Sequence, residues 1–107
     1  MKYNKLVRDN YPEIAAVKGE LFTYHIADDS EYREKLGEKI KEEVEEFLRQ
    51  PQIEELADIY EVIRALMQVY GFSPEDLERA CALKKYNKGG FERRIILEET
   101  EFTHPQS

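Results

Sequence analysis

Acidic side chains on two neighbouring helical segments are the residues of this 107-residue sequence best placed to do chemistry. Glu55 and Asp58 lie inside an otherwise apolar arc when residues 51–70 are placed at intervals of ~100°. A bare carboxylate in apolar surroundings is costly, so each of the two needs a cation, a proton or a strong hydrogen-bond donor nearby. The pattern therefore points to a polar centre on this helix.

The preceding helical segment carries a matching pair of acids. Glu43 lies on the shoulder of its apolar stripe, and Glu46 lies farther round. The connection Gln50-Pro51-Gln52 is too short for anything but an antiparallel hairpin. Residues at one level of such a hairpin have numbers with a constant sum, which places Glu46 level with Glu55. The same rule places Glu43 level with Asp58, so all four carboxyl groups fit within about one turn.

Four negative charges this close repel one another strongly unless a divalent cation lies between them. Ligation by oxygen alone, with water completing the coordination, suits Mg²⁺, with Mn²⁺ as a substitute. Two structural alternatives stay open. The run at 42–46 is a solvated face, as most Glu-rich runs are, or the acids form salt bridges to Lys39 or Arg64 at a subunit interface. Asp58, inside the apolar arc and level with Glu43, favours the metal site.

Helical patterns bounded by capping and helix-ending residues position these acids. The predicted helices cover residues 12–18, 30–49, 51–70 and 73–87. Alternation of apolar side chains with period two predicts strands at 21–27 and 92–102, which we expect to pair. The predicted fold class is mainly α, an antiparallel helical hairpin bundle with a small β ribbon from the N- and C-terminal segments. We expect one domain over residues 1–107.

The composition of the chain excludes some classes of binding partner and of cellular location. Sixteen basic residues against 23 acidic ones give a net charge of −7, so coating of nucleic acid or of anionic membranes is not expected. No apolar run approaches the ~18 residues of a membrane span, and no signal peptide is visible at the start. The single cysteine, Cys81, cannot form an internal disulfide. The sequence therefore predicts a cytoplasmic protein.

The acids also carry a family resemblance. Glu42-Glu43-x-x-Glu46 followed by Glu55-x-x-Asp58 resembles the EExxE…ExxD signature of the MazG-type, all-α nucleoside triphosphate pyrophosphohydrolases. One departure is the spacing, because only eight residues separate Glu46 from Glu55, fewer than in many members. The hairpin geometry still brings the acids together, so the site is expected to persist.

Two further stretches extend the resemblance over nearly the whole chain. YNKLVRD (residues 3–9) and KGGF (residues 88–91) are similar to a small subfamily labelled phosphoribosyl-ATP pyrophosphohydrolase-like. The resemblance implies cleavage between the α and β phosphates of a nucleotide, releasing a nucleoside monophosphate and pyrophosphate. It favours a house-cleaning enzyme for non-standard or surplus nucleotides, with phosphoribosyl-ATP as the alternative substrate.

The resemblance also implies roles for the acids. The implied magnesium ligands are Glu43, Glu46, Glu55 and Asp58. A metal-bound water has a lowered pKa, and a carboxylate not fully committed to the metal accepts its proton. Glu42 and Glu43 are the candidate catalytic residues, with Glu42 as an outer-shell group or as the base for the attacking water.

A triphosphate also needs cationic donors outside the metal shell. Our candidates are Arg8, Lys84 and Lys88, with Lys5 behind them. The structural alternatives are an ion pair of Arg8 with Asp9 and, for the two lysines, the favourable position of a cation at a helix C-terminus. The base of the nucleotide is not specified by these residues.

The apolar surface of the segment at 51–70 predicts that the chain forms an oligomer. This segment is apolar over most of its circumference, more than a 107-residue monomer can cover. We therefore predict a homodimer or higher oligomer with sites near the interface. The alternative of a different class is a non-catalytic helical module that binds nucleotide or another protein.

Overall fold

The computed structural model describes residues 3–101. The four helices of this part of the chain are α1 (Tyr11–Val17), α2 (Asp29–Arg49), α3 (Ile53–Tyr70) and α4 (Pro74–Lys88). The prediction of a mainly α fold is confirmed. The chain divides into two compact units, one ending at Ser73 and the other beginning at Pro74. The first unit holds α1 to α3 and with them every acid of the predicted metal site, while α4 belongs to the second.

Capping sets the start of α2. The carboxylate of Asp28 accepts a hydrogen bond from the backbone N–H of Glu31 at 2.8 Å, which satisfies one of the free amides of the first turn. Asp29 and Glu31 add negative charge to this turn, and Arg49 adds positive charge to the last one, both favourable with the helix dipole. The helix begins at Asp29, one residue before its predicted start.

The α2–α3 hairpin is confirmed. Gln50 donates its backbone N–H to the carbonyl oxygen of Glu46 at 2.9 Å and closes α2, and α3 begins at Ile53. Pro51 therefore lies in the connection, so its predicted place in the first turn of α3 is wrong. With so short a connection the two helices pack against each other in antiparallel orientation. This packing sets the register of their acids.

Gly71 ends α3. Its φ of +75° lies in the left-handed region, which glycine adopts without the steric cost that a Cβ brings. The following residue, Phe72, then donates its backbone N–H to the carbonyl oxygen of Met67 at 2.8 Å, as in a Schellman motif. The predicted end of this helix at 70 is confirmed.

Few apolar side chains are fully buried. Ala15 and Leu36 are each 1% exposed and Val62 is 8% exposed, and these are the buried apolar residues within the described part of the chain. Larger apolar side chains remain exposed at the turn end of the hairpin, among them Leu48 and Ile53. The core of the first unit thus lies between its helices and leaves much apolar surface outside.

The predicted β ribbon is wrong for the residues that the structure describes. Residues 21–27 and 92–101 contain no strand, and Phe102, the last residue of the second predicted strand, lies outside the described range. An isolated two-stranded ribbon is marginal without an apolar surface to pack on. Such a surface is lacking here, since Leu21 is fully exposed and Ile26 is 85% exposed.

Aromatic contacts replace strand pairing in the segment before α2. Phe22 and Tyr24 stack with ring centroids 6.1 Å apart, and Tyr11 of α1 meets the ring of Phe22 edge-on at 6.3 Å. Both are ordinary geometries for attractive ring pairs. The alternation that predicts a strand here corresponds to two stacked rings in a segment without strand structure.

No helix within residues 3–101 is long and apolar enough to cross a membrane. Even α3 carries charged residues along its length, with Glu55, Asp58, Glu61 and Arg64 on successive turns.

Candidate metal centre

Three carboxylates from the two hairpin helices converge. Glu43 of α2 and Glu55 and Asp58 of α3 each offer one oxygen atom, and these oxygens all lie within 4.8 Å of one another. The i, i+3 spacing puts the two α3 acids on one side of that helix, and the antiparallel register brings Glu43 to the same level. The structure thus brings together three of the four predicted metal ligands.

Glu43 is the buried member of this group. It is 9% exposed, whereas Glu55 and Asp58 are half-buried. A carboxylate removed from water needs a countercharge, and Lys39, one turn earlier, provides it with Nζ 3.3 Å from Glu43 Oε1. The alternative that these acids pair with Lys39 is therefore realised within one chain, although a single ammonium does not balance three carboxylates.

Glu46 does not join the group formed by the described residues. Its carboxylate instead forms an ion pair with Arg49 on the same helix. Its charge still acts on Glu55, as the predicted level pairing requires. The role of Glu46 as a fourth ligand stays a prediction.

Glu42 lies between two ammonium groups. Lys5 and Lys39 approach the same oxygen, Glu42 Oε1, at 3.3 and 3.4 Å. Partial burial raises the pKa of Glu42, but the hydrogen bond from Lys5 and the charge of Lys39 outweigh it and leave the pKa below its usual range. A lowered pKa makes a carboxylate a weaker proton acceptor, and the role of Glu42 as the base stays a prediction.

Arg8 reaches the acid group directly. Its Nη2 donates a hydrogen bond to Asp58 Oδ1 at 2.7 Å, within the range of a charge-assisted bond. This bond raises the pKa of the Arg8 guanidinium despite its partial desolvation. The sequence makes Arg8 a candidate for phosphate binding or for a pair with Asp9 but does not predict this contact, because no local spacing links positions 50 residues apart.

The remaining predicted cations are Lys84, Lys88 and Arg64. Lys84 and Lys88 are one turn apart on α4, in the second unit, and their contact with phosphate stays a prediction. Arg64, the other candidate salt-bridge partner of the acids, lies with its guanidinium carbon 4.8 Å from the ring centroid of Tyr60, a cation–π contact.

Glu55 carries the raised pKa of the group. Partial desolvation and the negative charges of Glu46 and Asp58 all oppose its ionisation, and Glu43 adds to them. A raised pKa means that the folded state binds this proton more tightly than the unfolded state does. The ionised carboxylate therefore weakens the fold at pH 7, and the penalty disappears as the pH falls through the folded pKa.

Neutralising Glu55 should stabilise the metal-free protein. We expect Glu55→Gln to raise the melting temperature at pH 7 and to leave it unchanged near pH 3.5, where the wild-type carboxyl is protonated in both states. Thermal melts followed by circular dichroism in EDTA measure this. Glu54→Gln is the matched control, since both acids lie in the first turn of α3 and share its helix dipole. An equal rise in both variants would show that the gain does not come from the acid group.

The chain matches no protein-family model, no curated protein and no solved structure. Its membership of the MazG-type family stays a prediction from the acid motif. What the site can do is therefore argued from the convergence of Glu43, Glu55 and Asp58 and from the cations around them.

Proposed function

We propose that this chain is a Mg²⁺-dependent nucleotide pyrophosphohydrolase that cleaves the α–β phosphate bond of a nucleoside triphosphate, giving a monophosphate and pyrophosphate. The observation that carries the proposal is the convergence of Glu43, Glu55 and Asp58, with oxygens within 4.8 Å of one another. The acid motif at 42–58 supports the same activity through its family resemblance.

The donor set fits the cation. All three groups are hard carboxylate oxygens, the ligands that Mg²⁺ and Mn²⁺ prefer, and two of them are open enough for coordinated water and substrate phosphate to complete the shell. Three negative charges face the two cations Lys39 and Arg8, so one net negative charge is left to attract a cation. Glu43, Glu55 and Asp58 would hold a magnesium ion there, which would supply charge to neutralise phosphate oxygens and would lower the pKa of a bound water.

We assign the proton transfer and the phosphate contacts to different side chains. Glu55, whose pKa is raised by desolvation and by the neighbouring negative charges, is the acid that we assign to accept a proton from water. Glu42, tied to Lys5 and Lys39, has a lowered pKa and acts as an anchor that holds the two ammonium groups beside the site. Arg8 supplies a planar donor beside the acids for phosphate oxygens.

The test is the release of pyrophosphate from a panel of nucleotides. Protein stripped with EDTA is incubated with standard and modified nucleoside triphosphates and with phosphoribosyl-ATP, with Mg²⁺, with Mn²⁺ or without metal. We expect pyrophosphate and monophosphate in equal amounts from one nucleotide class, only when metal is present. If no member of the panel yields more pyrophosphate than the same preparation of Asp58→Asn, the proposal is wrong and a non-catalytic binding module is favoured.

We also propose that the chain forms a homodimer or higher oligomer. Leu48 is 72% exposed and Ile53 73%, at the turn end of the hairpin, and Tyr60 is 57% exposed farther along α3. Exposed apolar side chains on two helices that pack together are typical of a surface covered in an assembly. Light scattering should give a mass of at least two chains at micromolar concentration, and the mass of one chain at 100 µM (about 1 mg/ml) would contradict the proposal.

A further inference from the structure

The segment that precedes α1 is tied to the acid helices by two cations. Lys5 Nζ lies 3.3 Å from Glu42 Oε1 of α2, and Arg8 Nη2 lies 2.7 Å from Asp58 Oδ1 of α3. We call residues 3–10 the N-terminal segment. Most of its side chains are exposed, so these two ion pairs are prominent among the contacts that hold it on the hairpin.

The two countercharges of the acid group differ in how readily they can leave. Lys39 is on the same helix as Glu43, and the side chains of this pair are only 18% and 11% exposed. Arg8 lies in a non-helical segment. The side chains of its pair with Asp58 are 62% and 38% exposed. Exposed ion pairs contribute little to stability and exchange with solvent easily. Lys39 is therefore a fixed countercharge, and Arg8 is one that can be replaced.

A divalent cation and Arg8 compete for the same acid. Arg8 supplies at Asp58 the positive charge that a metal ion bound by Glu43, Glu55 and Asp58 would supply in its place. The guanidinium and a divalent ion at contact distance of one carboxylate repel each other. Binding of the ion therefore weakens the Arg8–Asp58 pair, and the pair in turn weakens binding of the ion, as linkage requires.

We propose that Arg8 is an exchangeable countercharge, which neutralises Asp58 in the metal-free protein, leaves it when a divalent cation binds, and then contacts the phosphates of the nucleotide. The inference rests on the proposed metal site. It explains why a phosphate-binding cation lies on an acid in the free protein, and it orders the events: metal binds first, and Arg8 becomes available to the substrate as a result.

The first measurement is calorimetric titration of Mg²⁺ and of Mn²⁺ into EDTA-stripped protein. Arg8→Gln removes the competing charge, so we expect it to bind each metal about two- to tenfold more tightly than wild type at low salt, with a smaller difference at high salt. Lys35→Gln is the matched control, because Lys35 pairs with Glu38 on α2, outside the acid group, and its loss should change the affinity less than twofold.

The second measurement follows Arg8 itself by NMR. In the metal-free wild type its Nε–Hε resonance should differ from that in Asp58→Asn, where the pair is lost. Saturating Mg²⁺ should move the wild-type resonance to the position seen in that variant. An unmoved resonance at saturation would show that Arg8 stays on Asp58 and would overturn the exchange.

The outcomes separate this inference from the proposed function. If wild type and Arg8→Gln bind Mg²⁺ equally well, or the variant binds it less tightly, Arg8 does not compete and only the exchange is wrong. If neither protein binds Mg²⁺ or Mn²⁺, the metal site is wrong, and the exchange and the proposed function are wrong with it.

Discussion

Asp58→Asn should lower the rate of Mg²⁺-dependent pyrophosphate release by at least about 100-fold, since loss of groups that merely support a metal ligand already costs 10- to 100-fold. The substitution keeps the size of the side chain and one of its oxygens but removes the charge. Among the residues that the structure describes, Asp58 is one of three acids with oxygens in the 4.8 Å group. Its loss leaves two carboxylates, one of them already paired with Lys39, which is too little charge to hold a divalent ion firmly.

The measurement is kcat/KM for the best nucleotide of the panel, with circular dichroism to check that the helices persist. Glu43→Gln should give a loss of the same order. Glu45→Gln is the matched control, because Glu45 is an exposed acid of α2 outside the group, and it should retain activity within about twofold. Near-wild-type rates in Asp58→Asn, with its helices intact, would remove the acid group from the reaction.

The α2–α3 hairpin shows how far the sequence determines the site. A three-residue connection allows only an antiparallel pair, and a helix has a fixed rise per residue. Two numbers, the positions of Glu43 and Asp58, are then enough to place these side chains at one level. The convergence of three acids was predictable because it depends on local geometry repeated over a few turns.

Glu46 marks the limit of this reasoning. The level rule fixes its height along the hairpin and correctly puts its charge near Glu55, but not the direction of its side chain around α2. Arg49, one turn later, offers a partner on the same helix. A short-range pair of this kind competes with a longer-range one, and helical periodicity alone does not decide between them.

The contacts of Lys5 and Arg8 could not be predicted from the sequence, for a different reason. Both residues lie in an exposed segment without helical periodicity, and their partners are 37 and 50 positions away. The sequence reveals that the cations are present, but helical periodicity does not extend to the segment that carries them and so does not predict its path. The strand predictions failed for a related reason, since alternation predicts a strand only where a surface exists to bury one of its sides.

Leu36→Ala should cost about 2–5 kcal/mol in the free energy of unfolding, because the surroundings of a buried leucine close only partly over the space it leaves. Leu36 is 1% exposed and is the largest fully buried side chain of the described residues. A domain of this size gives about 4–8 °C per kcal/mol, so the melting temperature should fall by about 8–40 °C. Urea denaturation at one fixed protein concentration measures the loss.

The control is Leu21→Ala, at a fully exposed leucine, which should cost less than about 0.5 kcal/mol in the free energy of unfolding. Equal losses at the two positions would mean that the hairpin is not the stabilising core and that Leu21 is covered in the assembly.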